Sequence, residues 1–157
     1  MTALRDDLLN QIAEDCKALA LPRLRNNITI SAFPFDVIND EDLRAGGYVT
    51  SEKRKRGSKM KNTNERNAYG YPFLVSFFTG TSNARSESTR EWSSWLENIM
   101  RRYDRRRFSM ANCPKGVAVI CCTAEEVDID SETARRRHLY GQHVEVTVWV
   151  LEPRTNR

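Results

Sequence analysis

Five acidic residues fall within eight positions of this chain: Glu125, Glu126, Asp128, Asp130 and Glu132, with no base among them. In an extended strand Glu126, Asp128 and Asp130 share a face, and three carboxylates on one face could hold magnesium or calcium. The run lacks the glycine turn and closing glutamate of a calcium loop, and no phosphate-binding glycine loop accompanies it. It reads as a solvated strand edge or loop. Metal-dependent phosphodiester cleavage asks for a carboxylate followed two residues later by a strand lysine, but Glu145 is followed by Val146 and Thr147. The two histidines, His138 and His143, have no His-Asn-His context. No Gly-x-Ser-x-Gly turn is present. Cys113 stands before Pro114, and its pairing with either histidine rests on residue types alone. The four cysteines, Cys16, Cys113, Cys121 and Cys122, form no Cys-x-x-Cys pair, so reduced thiols are expected rather than zinc. The expectation is a chain that is not an enzyme, with no catalytic residue, cofactor or metal.

A block of the opposite sign lies earlier. Residues 51–66 carry Lys53, Arg54, Lys55, Arg56, Lys59, Lys61 and Arg66 against Glu52 and Glu65, seven minus two, or +5. Residues 125–132 carry −5 by the same count. The basic block suits phosphate contact or docking on an acidic protein surface. Single-stranded nucleic acid would call for stacking aromatics among the bases, and residues 51–66 contain none. Tyr48, Tyr69 and Tyr71 only flank the block. That favours electrostatics blind to sequence. The residues singled out for partner or inter-subunit contact are Lys53, Arg54, Lys55, Arg56, Lys59, Lys61, Glu125, Glu126, Asp128 and Asp130. A basic nucleic-acid-binding module, making non-specific DNA contact through 51–66, is the second reading.

The elements that must position these blocks follow from periodicity. A chain of 157 residues is one domain that buries roughly 70% of its extended surface, enough for a core without metal or disulfides. The whole-chain charge of +4 permits nucleic-acid binding without demanding it. The N-terminus is amphipathic and acidic, unlike a signal peptide, and no apolar run approaches the ~20 residues that cross a bilayer. A soluble chain without membrane contact, made in a cytoplasm, is expected.

Leu4, Leu8, Ile12, Cys16 and Leu19 make one stripe of a helix over 3–19 that Pro22 ends. Ile28 and Ile30 mark a short strand. Residues 48–75 read as a long hairpin whose tip, around 57–64, projects from the body; eight extended residues per arm reach ~25 Å. Its second arm, running on to Phe78, is apolar on both faces, with Pro72 near its start or on an edge. Ser88, Thr89, Arg90 and Glu91 form a capping box for a second helix, with Trp92, Trp95, Leu96, Ile99, Met100 and Tyr103 on one stripe. Val117 to Cys122 reads as a strand apolar on both faces, and Val144 to Leu151 as a closing strand with one clean apolar face. The tail 152–157 is polar and loose. The fold class is α+β: a mainly antiparallel sheet, two helices packed on one face, and a long projecting β-hairpin arm.

That element order resembles the tail terminator and tail-completion (neck) proteins of long-tailed bacteriophages. So does the final strand, His143 to Arg154, after the connector Asp130 to Gln142. The resemblance covers most of the chain as a pattern of elements and carries no diagnostic motif; the long basic arm departs from the family. It implies a non-enzymatic virion protein in the tail-neck region, assembled in the host cytoplasm. Such proteins form a homo-oligomeric, hexameric ring on the tail tube protein. The ring ends tube polymerisation and joins the tail to the head-tail connector or adaptor. A ring is a head-to-tail assembly in which one patch meets a different patch on the next subunit. The opposite charge blocks could supply those patches, with Lys53 to Lys61 reaching the acidic run of a neighbour.

Overall fold

The computed structural model describes residues 4–33, 43–56, 66–83, 86–104, 108, 113–129 and 132–153. Helix α1 spans Leu4–Leu19, with Asp6 and Asp7 in its first turn, where the helix dipole favours negative charge. Leu8, Leu9, Ile12, Ala13 and Cys16 are its buried stripe. Pro22 opens a 3-10 turn through Asn27. Strands β1 (Ile28–Ser31), β2 (Gly46–Ser51), β3 (Lys55–Arg56) and β4 (Arg66–Gly80) follow, then helix α2 (Glu87–Tyr103), strand β5 (Ala118–Glu126), the short helix α3 (Glu132–Arg136) and strand β6 (Leu139–Pro153). The six strands form one sheet in the order β1-β2-β4-β6-β5, with β3 beside β4. Among the described residues only β1 and β2 run parallel. The α+β class and the mainly antiparallel sheet are as the sequence predicts.

Two helices cover one face. Phe73, Val75 and Phe77 of β4, Val144, Val146, Val148 and Val150 of β6, and Val49 of β2 pack against the α1 and α2 stripes. Each such side chain contributes about 1.5–3 kcal/mol by leaving water. The polar ends of two aromatics tie the helices together: Trp95 Nε1 donates to the Cys16 carbonyl at 2.8 Å, and Tyr103 Oη donates to Asp15 Oδ2 at 2.7 Å. On the other face Leu43, Tyr48, Phe78 and Ala134 of α3 form a second, smaller cluster. Burial on both faces explains why β4 is apolar throughout.

Several local expectations are corrected. The N-cap of α2 is Ser86, whose Oγ accepts from Thr89 N at 3.4 Å. Ser88 lies inside the helix, and Glu91 is turned to an ion pair with Arg23 instead of back to its own helix end. Strand β5 is an edge strand covered on one side, so Cys122 alone of its residues is buried and Ile120, at a bulge between Val119 and Cys121, is exposed. Cys121 and Cys122 do point to opposite faces: Cys122 Sγ donates to the Tyr103 carbonyl at 3.0 Å, while Cys121 stands opposite Trp149.

Pro72 sits in the middle of β4, not at its start or on an edge. β2 leaves β4 after Ser51↔Phe73, and β3 rejoins it at Lys55↔Gly70. Glu52, Lys53 and Arg54 therefore oppose only Tyr71 and Pro72. The Pro72 carbonyl accepts from Glu52 N at 3.0 Å, so its nitrogen, on the same side of the strand, faces the interruption. A strand proline without an N–H is accommodated where the partner strand bulges.

The projecting arm expected over 48–75 is not seen among the described residues. As far as Arg56 on one side and Arg66 on the other, both arms lie within the sheet, and β4 is paired along its whole length with β6. The expected tip, 57–64, lies outside the described residues.

Gly47 lets α2 pack close against β2. A Cβ there would meet Trp92 Cζ3 at 2.8 Å and Trp95 Cη2 at 3.1 Å. Gly47→Ala should therefore cost about 1–3 kcal/mol through overpacking. Urea unfolding should show a lower midpoint at unchanged slope.

Candidate functional site

The basic segment crosses the Pro72 interruption, and although Lys53, Arg54, Lys55 and Arg56 are all exposed, Arg54 and Lys55 are engaged by partners on the sheet. The Arg54 guanidinium lies over the Tyr69 ring, with Cζ 3.8 Å from the centroid. Its Nη1 donates to Glu152 Oε2 at 3.3 Å and to Tyr71 Oη at 3.5 Å, and Tyr71 Oη donates to Glu152 Oε1 at 2.8 Å. Burial pushes the Tyr71 phenol up to about 12, against the opposing bond from Arg54. Lys55 turns to the other face of the sheet and pairs through Nζ with Glu145. Glu145 stands directly opposite Glu125 in the β5–β6 register. Like charges facing each other across a strand pair repel, and Lys55 offsets that repulsion. Lys53 and Arg56 are exposed and, among the described residues, in no ion pair. Lys59 and Lys61 lie outside the described residues.

The acidic run does not form one face. β5 ends at Glu126, so the alternation expected to align Glu126, Asp128 and Asp130 stops there. Glu125 stands opposite Glu145, while Glu126 stands opposite Val144 on the helix side. Asp128 is exposed beyond the strand, and Asp130 lies outside the described residues. A cavity of about 410 Å³ beside α2 and the start of β6 is lined by Glu97, Glu126, Asp128, Tyr140, Gln142 and His143 among others. Among the described residues no group of three His, Cys, Asp or Glu side chains is placed to hold a metal ion. A larger open groove, about 550 Å³, lies between the end of α1 and α2 over Leu19, Leu21 and Trp95, and brings together none of the candidate residues.

The two charge blocks occupy opposite edges of the sheet. β3 flanks β4 on the side away from β6, and β5 flanks β6 on its far side. Three strand spacings separate the two edges, about 14 Å. Lys55 is level with Gly70 and Trp149, and Glu125 is level with Glu145, four residues further along β6. That adds about 13 Å along the strands. The acid that meets the basic segment within the chain is thus Glu145 or Glu152, not the run from Glu125.

The Cys–His pairing does not form. Cys113 precedes the β5 end that stands opposite Leu151, whereas His143 lies eight residues away along β6, roughly 26 Å. Cys113 Sγ donates instead to the Val117 carbonyl at 3.1 Å, and His138 is exposed at a φ of 55°. The structure does place one serine–histidine contact that the sequence reading missed: His143 Nδ1 lies 2.8 Å from Ser76 Oγ. They are direct partners in the β4–β6 register, and Ser76 is fully buried. The contact gives each of these two buried polar side chains a partner, and His143 also lines the cavity of about 410 Å³. The His143 ring also packs edge-on against Phe78 at 5.4 Å.

The three flanking tyrosines are occupied. Tyr48 is buried, with its Oη donating to the Arg44 carbonyl at 2.9 Å. Tyr71 is buried and bonded to Glu152, and Arg54 caps the face of Tyr69. Among the described residues the exposed large aromatics are Phe33 and Tyr140, neither of them in the basic segment. No helix among the described residues is long and apolar enough to cross a membrane. No protein-family model matches the chain, and no curated protein matches it in sequence.

Burial holds the His143 imidazole down at about 4 from its ordinary 6.5, against the opposing pull of Asp128. The fold thus favours the neutral ring, and its contribution is complete above pH 6.5 and lost as the pH falls towards 4. Unfolding free energies from urea titrations over that window should fall in the parent chain by on the order of 2 kcal/mol more than in His143→Gln.

Proposed function

We propose that this chain is a structural assembly protein of the phage tail-neck type. It forms a ring on the end of a tail tube, ends tube polymerisation and offers a surface to the head connector. The observation that supports this reading is the placement of opposite charge on opposite edges of one sheet. Exposed Lys53 and Arg56 lie at one edge, and exposed Glu125 and Glu126 at the other. An edge strand with free backbone groups is a ready site for pairing with another chain. When its two edges carry unlike charge, a subunit repels its own kind edge-to-like-edge and attracts it edge-to-unlike-edge. That is the heterologous contact a closed ring requires. The order of elements resembling tail-neck proteins adds a second support.

The nucleic-acid reading has less behind it. The tyrosines beside the basic segment are buried or capped, so the stacking that single-strand binders use is unavailable there. What remains is charge alone.

A charge swap tests the assembly reading. Lys53→Glu with Arg56→Glu reverses the two exposed unpaired charges at the basic edge, and Glu125→Lys with Glu126→Lys reverses the two at the acidic edge. Each variant alone should sediment as a monomer where the parent forms a ring, and a one-to-one mixture should regain the ring mass. Assembly of either variant alone as well as the parent, or a mixture that stays monomeric, would count against it. A parent chain that stays monomeric and binds random duplex DNA with a steep salt dependence, lost in the first variant, would move the basic edge to the nucleic-acid reading.

A further inference from the structure

Lys53, Arg54, Lys55 and Arg56 are four consecutive bases with two different surroundings. Arg54 is stacked on Tyr69 and bonded to Glu152 and Tyr71 on the helix side of the sheet. Lys55 crosses to the other face and pairs with Glu145. The two anchors straddle the segment from opposite faces. Lys53 and Arg56 flank them, exposed and, among the described residues, in no ion pair.

We propose that Arg54 and Lys55 are a clasp holding the segment to the sheet, and that Lys53 and Arg56 are the pair presented to the acidic β5 edge of a second copy. The docking half rests on the assembly reading above, and the clasp does not.

The backbone alone holds this segment weakly. β3 pairs over two residues, and the interruption facing Pro72 offers no N–H from the proline side. A run of like charges with so few ladder bonds tends to solvate and move apart. Side-chain anchors at both faces counter that. The residue at 54 needs to be arginine for a physical reason. A planar guanidinium can stack on Tyr69 while its N–H groups reach Glu152 and Tyr71, whereas an ammonium is a compact point charge that cannot do both. Tyr71 completes the arrangement by bonding the second oxygen of the same carboxylate. With Arg54 and Lys55 offset by Glu152 and Glu145, the charge left facing outward is that of Lys53 and Arg56. Glu125 and Glu126 at the other edge supply its complement, and within one chain three strand spacings, about 14 Å, lie between the two edges.

Hydrogen exchange of the amides of residues 52–56, in the isolated chain below the concentration at which it assembles, tests the clasp. Arg54→Ala should accelerate their exchange roughly tenfold. Arg54→Lys should fall between it and the parent, and Lys53→Ala and Arg56→Ala should match the parent. Exchange in Arg54→Ala no faster than in the parent, or an equal acceleration in Lys53→Ala, would overturn the clasp. If Arg54→Ala does not fold, Glu152→Gln and Tyr69→Leu remove the partners instead and should each accelerate the same amides. The docking half is tested separately with Lys53→Glu and Arg56→Glu combined. Parental exchange at 52–56 with loss of ring mass supports it. Parental exchange with undiminished ring mass overturns the docking half and the assembly reading while leaving the clasp standing.

Discussion

The pairing of β4 with β6 organises the molecule. Arg66 to Gly80 is matched residue for residue with Pro153 to Leu139. One ladder of that length sets which side chains face the helices and which face away, because a slip of one residue would exchange the two faces along both strands. It puts Phe73, Val75 and Phe77 beside Val144, Val146 and Val148 under α1 and α2. It also sets Ser76 against His143, and Leu74 against Glu145. β2, β3 and β5 join this pair at its margins, and β1 extends the sheet beyond β2. β2 and β3 occupy one side of β4 in turn, and β5 lies along the far side of β6. The edges on which the two charge blocks sit are consequences of that ladder.

Electrostatics acts on this frame at two ranges. At contact range, Arg54 and Lys55 are neutralised by carboxylates of β6, and these pairs are partly exposed, so their worth lies in placement more than in stability. At longer range, three strand spacings, about 14 Å, separate the two edges, more than a Debye length at physiological salt, so the charges at 53 and 56 are largely screened from the acidic edge while Lys55 reaches across to Glu145. Opposite edges that do not neutralise each other internally are free to do so between copies.

Much of the frame was legible in the sequence. The stripes of α1 and α2, the apolar run of β4 and the alternation of β6 are period signals, and each marks a real element. What escaped has a common cause: it depends on which strands meet. The bond from Arg54 to Glu152 joins residues 98 positions apart, and no local pattern announces it. The Ser76–His143 contact exists only because of the β4–β6 register. Pro72 reads as a strand start when its own strand is considered alone, and its true place depends on the bulge opposite. The cap of α2 is Ser86, two residues before the expected Ser88, and Glu91, expected to close the capping box, is paired with Arg23 on another element. Helix α3 is five residues long, too short to show a period. For the candidate site, the sequence showed which residues carry charge; the sheet showed which of those charges are already paired.

Zero-length carbodiimide cross-linking of a mixture of isotopically labelled and unlabelled chains tests the central claim most directly. Lys53 and the Glu125–Glu126 pair lie on opposite edges of one sheet, beyond the reach of such a link inside one chain. The proposed contact between unlike edges predicts Lys53–Glu125 or Lys53–Glu126 links joining a labelled to an unlabelled chain, at concentrations where the chains associate. Rings that assemble without any such mixed-isotope link would contradict it.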